Sequence, residues 1–203
     1  ESALQESERF AKSTIDALSE HICVIDETGT IIAVNKAWRD FGEANSRPAT
    51  QHVANGANYL AVCEGTTDEN AAQGPEFALG IRAVLRGERE EFTIEYPCHS
   101  STEQRWFSGK VTPFQGRGPR RAVISHENIT QRKLAENALK IAQEKLQTAI
   151  KSANIGLWDW NLETNYVFYS QEWKSQIGYA DDEIGNTLYE WERLVHKDDL
   201  HKT

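Results

Sequence analysis

Residues 22–38, ICVIDETGTIIAVNKAW, decide the fold of this chain because their pattern occurs twice. Two β-branched runs, His21–Asp26 and Thr30–Asn35, flank Glu27-Thr28-Gly29, where glycine supplies the positive φ of a tight hairpin turn. A short helix over Lys36–Phe41, bearing Trp38, follows. About 135 residues later the order returns in residues 155–173, IGLWDWNLETNYVFYSQEW. Ile22 aligns with Leu157, the Glu-Thr-Gly turn with Glu163-Thr164-Asn165, and Trp38 with Trp173. Each copy follows a helical stretch, STIDALSE (13–20) and LQTAIKSA (146–153), in which Ile15 matches Ile150. Recurrence at a nearly constant offset means one domain type used twice. The second copy reaches Thr203 before completing its period, and no Met occurs in 203 residues, so the chain is expected to be an excerpt of a longer protein.

Outward from the first hairpin, Ser7–Glu20 places Phe10, Ala11, Ile15 and Leu18 near helical spacing, an amphipathic helix whose seam is a candidate dimer contact. Residues 42–74 are rich in Gly, Asn, Ala and Thr, with a helix around Tyr59–Glu64. Phe77, Ile81, Val84 and Leu85 make another helix, which Gly87 stops. The period then falls from 3.6 to 2: Phe92, Ile94 and Tyr96 alternate with Glu91, Thr93 and Glu95. Strands at Glu103–Phe114 and Arg120–Glu127 follow, the last with Ala122 and Ile124 on one face and Val123 on the other. Turn residues at Ser100-Ser101 and Gly116–Pro119 join them. Two strands, short helices and three antiparallel strands make an α+β class.

A long helix from Asn128 through Ala153 comes next, capped by Asn128 or Thr130. Along it Leu139, Ala142, Leu146 and Ala149 alternate by three and four with Ala135 ahead, a narrow seam for a two-stranded coiled coil. Small alanines keep that contact weak, which suits a helix that shifts register or rotates. Leu134, Ala138 and Ile141 widen the stripe, which could instead pack on a domain.

Composition excludes several classes. The chain is 39% hydrophobic with no apolar run near the roughly 18 residues a membrane span needs, and Glu1–Arg9 is too charged for a signal peptide. A net charge of −9 disfavours nucleic acid and anionic membranes, since phosphate binding needs clustered Lys and Arg. The one basic cluster, GRGPRR at 116–121, reads as a hairpin loop. Cys23, Cys63 and Cys98 are odd in number and far apart, without a CxxC, so neither a disulfide nor a zinc site is expected and a reducing cytoplasm is the default. No nucleophile triad, paired-carboxylate motif, phosphate loop or metal triad is present, and the fragment reads as non-enzymatic.

The stretches IDETGTIIAVNKAW (25–38), GIRAVLRGEREEFTIEYPC (80–98), VTPF (111–114) and AVISHENITQRK (122–133) resemble the PAS family of bacterial sensor domains over residues 15–133. Asn128 stands where the family commonly has Asp, which keeps the cap but removes a charge. GLWDWNLETN, YSQEWKSQIGY, DDEIG and WERLVHKDDL (156–200) resemble the front of a second PAS domain, with Asn165 in place of Gly and Lys197 in place of Pro. The resemblance implies a PAS fold: a five-stranded antiparallel sheet with short helices on one face. The expected layout is an N-terminal helix (1–20), PAS domain 1 (21–128), a linker helix (129–153) and an incomplete PAS domain 2 (154–203).

In such domains small molecules bind between sheet and helices. Asn35, Trp38, Asn58, Tyr59, Cys63 and Trp106 are the candidate lining residues, and their aromatic and amide character fits a planar ligand or, equally, a filled core. The Asn-Cys-Arg segment of flavin light sensors is absent, so Cys63 reads as a small core residue. His52 lies in the region of a haem ligand but in a polar loop; His99 and His126 read as satisfied or solvent-facing. Flavin and haem are therefore disfavoured and the cofactor stays open. Trp158, Trp160, Trp173 and Trp191 read as core, and Asp181-Asp182-Glu183 as the acidic first turn of a helix. The resemblance implies a cytoplasmic homodimeric module of a multidomain signalling protein, with Glu127, Asn128 and Thr130 passing a signal into the helix. A histidine kinase of a two-component system is the first-choice output, a cyclic-di-GMP synthase or hydrolase (a diguanylate cyclase or its opposite) the second. A ligand-free dimerisation scaffold is the alternative.

Overall fold

A computed structural model describes residues 2–45, 55–65, 73–100, 103–116 and 118–200. His52 lies outside them, as do Ser101 and about half of the Gly- and Asn-rich stretch. The chain divides into two compact units, residues 1–135 and 136–203.

In the first unit, β1 (His21–Asp26), β2 (Ile31–Val34), β3 (Phe92–Pro97), β4 (Trp106–Pro113) and β5 (Arg121–Asn128) form one antiparallel sheet ordered β2-β1-β5-β4-β3. The fold is the expected α+β architecture, with α2 (Lys36–Ala44), α3 (Tyr59–Gly65) and α4 (Gly74–Arg86) against one face. That face is set by period-2 alternation: Ala122, Ile124 and His126 are buried on β5, and Phe107, Gly109 and Val111 on β4. Cys23, Ile25 and Ile31 continue it, and Trp38, Leu60, Phe77, Ile81 and Val84 from the helices close over it. Gly29 makes the hairpin turn at φ 86°, with Asp26 Oδ1 accepting the N–H groups of Thr28 and Thr30 at 2.9 Å each. Gly87 ends α4 at φ 76°, which lets Glu88 N–H reach the Ala83 carbonyl at 2.9 Å.

Some boundaries differ from the sequence reading. Helix α1 spans Ala3–Asp16 rather than Ser7–Glu20, because Ser2 and Gln5 form a reciprocal capping box that starts it early. None of its residues is buried. Strand β4 begins at Trp106 rather than Glu103, whose N–H is taken by Ser100 Oγ at 3.0 Å.

Helix α5 (Thr130–Ser152) begins two residues after β5 ends and would be about 35 Å long at 1.5 Å per residue.

The second unit holds a two-stranded ribbon of β6 (Trp158–Asn161) and β7 (Tyr166–Tyr169), then α6 (Gln171–Gln176) and α7 (Leu188–Leu194). Val167, Tyr169 and Ile184 are its buried apolar side chains, and the ammonium of buried Lys174 bonds Asp181 Oδ1 at 2.9 Å and its carbonyl at 2.7 Å. Two expectations fail here. Trp158 and Trp160 are 62% and 38% exposed instead of core, because β6 pairs with β7 alone and all four of its residues lie open. Trp173 is half-buried, stacked on Tyr169 at 4.4 Å, and Trp191 is half-buried too. Asp181–Glu183 form turns rather than a helix, since the Glu183 carboxylate draws in the Ala180 N–H at 2.7 Å.

Candidate functional site

The polar centre of the first unit is His126. It continues the inward face of β5 two residues past Ile124, and Tyr96 continues that of β3 two residues past Ile94. His126 Nε2 lies 2.8 Å from the Tyr59 hydroxyl and Nδ1 lies 2.7 Å from the Tyr96 hydroxyl. Tyr59 is the first residue of α3, whose N–H bonds the Gly29 carbonyl at 2.8 Å. Three elements, α3, β5 and β3, thus converge on one imidazole. The rings of Trp38 and Phe77 each lie 5.6 Å from it. Gly109 makes room: a Cβ there would stand 3.0 Å from Phe77 and 3.2 Å from His126 Nδ1.

Burial governs the protonation of this cluster. It pushes the His126 pKa down to about 3, with nearby His21 adding to the effect, and raises both phenols well above their usual range. His126 is therefore a neutral imidazole with one N–H, so one tyrosine donates to it and the other accepts from it. Burial also raises the Cys63 thiol to about 12, which makes it a small core residue rather than a nucleophile. These groups therefore stay uncharged near pH 7, and among the described residues no three His, Cys, Asp or Glu side chains converge as metal ligands.

The six candidate lining residues separate. Trp38, Tyr59 and Cys63 meet in the core. Asn35 is buried but saturated: its Oδ1 accepts from Ile22 and Trp38, and its Nδ2 donates to the carbonyls of Ile15 and Glu20. Asn58 is exposed, its amide spent on the Thr28 carbonyl and on capping Ala61 N–H, both at 2.9 Å. Trp106 lies on the outer sheet face against His99, because its neighbour Phe107 takes the inward position. Tyr96 falls on the inward face of β3 as its alternation with Phe92 and Ile94 predicts, and extending the Ala122–Ile124 alternation by one step adds His126, which the sequence reading leaves as satisfied or solvent-facing.

The exit into α5 is tied at several points. Asn128 Oδ1 accepts Thr130 N–H at 3.0 Å, Thr130 Oγ1 accepts Trp106 N–H at 3.0 Å, and Ile129 N–H bonds the Trp106 carbonyl at 2.9 Å. Uncharged Asn128 contributes the cap, while charge between sheet and helix comes from Glu95 on β3, which meets Arg132 at 2.5 Å and Lys133 at 2.6 Å. Glu127 is exposed. Ala135, Leu139, Ala142, Leu146 and Ala149 form an exposed stripe, Leu139 and Leu146 being 61% and 63% exposed. No helix among the described residues is long and apolar enough to cross a membrane.

Comparison with known proteins gives a family match: the model described as the PAS fold covers residues 15–134. A Rhodobacter capsulatus protein, "Uncharacterized 104.1 kDa protein in hypE 3'region", is 38% identical over 125 residues, which is 61% of this chain and 13% of that protein. The "Hybrid signal transduction histidine kinase A" of Dictyostelium discoideum is 36% identical over 66 residues, 32% of this chain and 3% of that one. The chain therefore spans a small fraction of these curated relatives. The PAS domain of BvgS from Bordetella pertussis superposes with a TM-score of 0.44 at 19% identity, over 69% of this chain and 98% of that one.

Proposed function

The chain belongs to the PAS-fold family, and from that premise we propose that it is a sensory module of a multidomain signalling protein, with α5 as its output element. The observation that carries this reading is the junction at 128–130. The sheet runs into a 23-residue helix whose start is pinned to β4 through Trp106 and Thr130. Strain on the sheet therefore reaches the helix without an intervening loop. The domain layout read from the sequence goes with this proposal, as do a cytoplasmic setting and relay roles for Glu127, Asn128 and Thr130. A homodimer pairs α5 through Ala135, Leu139, Ala142, Leu146 and Ala149, and α1 offers a second seam. A histidine kinase is the preferred output, supported by the name of the Dictyostelium relative; a cyclic-di-GMP enzyme is the second choice. Coupling requires two helix positions separated by only a few kcal/mol, so that a ligand's differential affinity can select one.

Sedimentation of the chain beside Leu139→Asp and Leu146→Asp tests the paired helix. A dimer that both aspartates convert to monomer supports it, and an unchanged mass removes it. A second reading, a ligand-free dimerisation scaffold, is favoured by the core itself, where both nitrogens of His126 are already bonded to protein. Flavin or haem absorbance in the purified chain would count against the scaffold.

A further inference from the structure

Glu95 and Tyr96 are consecutive residues of β3, and consecutive strand side chains point to opposite faces. Tyr96 points inward to His126 Nδ1 at 2.7 Å, and His126 Nε2 in turn meets Tyr59 of α3 at 2.8 Å. Glu95 points outward, its two carboxylate oxygens meeting Arg132 at 2.5 Å and Lys133 at 2.6 Å in the first turn of α5. One edge strand therefore reaches the covering helix by one side chain, through His126 of β5, and the exit helix directly by the next. Being the edge of the sheet, β3 is hydrogen-bonded to β4 alone, so it can tilt at lower cost than a strand paired on both sides.

We infer that β3 is a coupling element: a change in the hydrogen bond at Tyr59 reaches α5 through His126, Tyr96 and Glu95, with Glu95 as the positioning residue for the first turn of the exit helix. The physical basis is continuity. Tyr96 and Glu95 share a peptide unit, so a shift of the phenol toward or away from His126 rotates the strand and moves the carboxylate relative to its two cations. The direct connection of β5 to α5 offers a competing route, which bypasses Glu95. The inference deepens the sensory reading and rests on it for its biological purpose, but the coupling is measurable in the chain alone.

Amide hydrogen exchange at residues 133–136 in the wild-type chain, Tyr59→Phe, Glu95→Gln and the double variant tests it. Tyr59 lies on α3 and its phenylalanine variant loses one oxygen. With Glu95 present, Tyr59→Phe should speed exchange in that turn roughly threefold, the scale of an exposed ion-pair network. In the Glu95→Gln background, already faster, it should add nothing. High salt should erase the Tyr59→Phe effect as Glu95→Gln does, because exposed charges are screened. Tyr96→Phe, which cuts the next link, should reproduce the pattern and substitutes for Tyr59→Phe if that variant does not fold. Equal increments in both backgrounds would overturn the route through Glu95, and so would a loosened α3 with the α5 turn unchanged. If the sensory reading alone is wrong, the exchange pattern survives while the output of the full-length protein ignores Tyr59→Phe. If the coupling alone is wrong, output responds without the pattern.

Discussion

Asn35 and Ser170 perform one hydrogen-bonding task at equivalent points of the two copies. Asn35 Oδ1 accepts the N–H groups of Ile22 at 2.9 Å and Trp38 at 3.0 Å; Ser170 Oγ accepts those of Leu157 at 3.0 Å and Trp173 at 3.2 Å. Their own N–H groups bond the carbonyls of Ile22 and Leu157, at 3.0 and 2.8 Å. Each residue fastens the end of its hairpin to the strand behind it and caps the helix ahead of it. Asn35, with an amide nitrogen to spare, also donates to the Glu20 carbonyl at 2.8 Å.

Replacing Asn35 by Ala should therefore cost about 2–3 kcal/mol, the sum of a lost cap and buried backbone groups left unpaired. Asn35→Ser should cost less, since the hydroxyl keeps the acceptor role that Ser170 fills. Urea-dependent hydrogen exchange at β1 amides measures both. Equal losses would show that the shared acceptor is not what stabilises the hairpin.

Gly80 lies mid-way along α4, where Ala ordinarily stabilises a helix by up to about 1 kcal/mol. Here the sign should reverse. A Cβ at Gly80 would stand 2.1 Å from Cδ1 of Phe92, so Gly80→Ala should destabilise by about 1–3 kcal/mol through overpacking. Thermal unfolding of Gly80→Ala with and without Phe92→Leu checks it: the smaller side chain should return part of the loss.

His126 makes stability fall with acid. Its folded pKa is depressed to about 3 from the ordinary 6.5, so between those values the unfolded chain binds the proton and the folded chain does not. The contribution is complete above pH 6.5 and is lost progressively toward pH 3. Between pH 7 and pH 5 the wild-type chain should lose about 2 kcal/mol more than His126→Gln. Comparing the two slopes cancels the acid sensitivity of Asp26, Glu88 and Glu95, whose hydrogen-bonded carboxylates sit below their ordinary pKa in both proteins. Parallel pH profiles would contradict a buried neutral imidazole.

Thiol labelling should be ordered by burial. Cys23 and Cys63 are buried and desolvation raises both thiols, whereas Cys98 is partly exposed just after β3. Iodoacetamide at pH 8 should modify Cys98 in the native chain and the other two only in urea, as read by peptide mass spectrometry. Native modification of Cys63 would mean that α3 opens readily.

Most of the architecture was legible because it rests on local periodicity. Alternation revealed β3 and β5, and the glycines at 29 and 87 marked turns that need positive φ. The repeat showed that Trp38 and Trp173 stand in equivalent helices, each at the third position. Boundaries were less legible where a side chain captured a neighbouring backbone group, as Ser2 and Ser100 do. The candidate interior was read only in part. Chemical type nominated Asn58 and Trp106, but facing decided against an inward position for both.

By itself the sequence determined the order of elements, the duplication and the family, since each is a property of spacing along one chain. Only the tertiary structure decided that Tyr59, Tyr96 and His126 share a hydrogen-bonded centre and that Glu95 reaches Arg132 and Lys133. Those contacts join residues 67, 30, 37 and 38 positions apart, at distances set by strand register and helix packing rather than by local spacing. A period can say which face a side chain occupies. Which partner waits on that face depends on how the other elements fold over it.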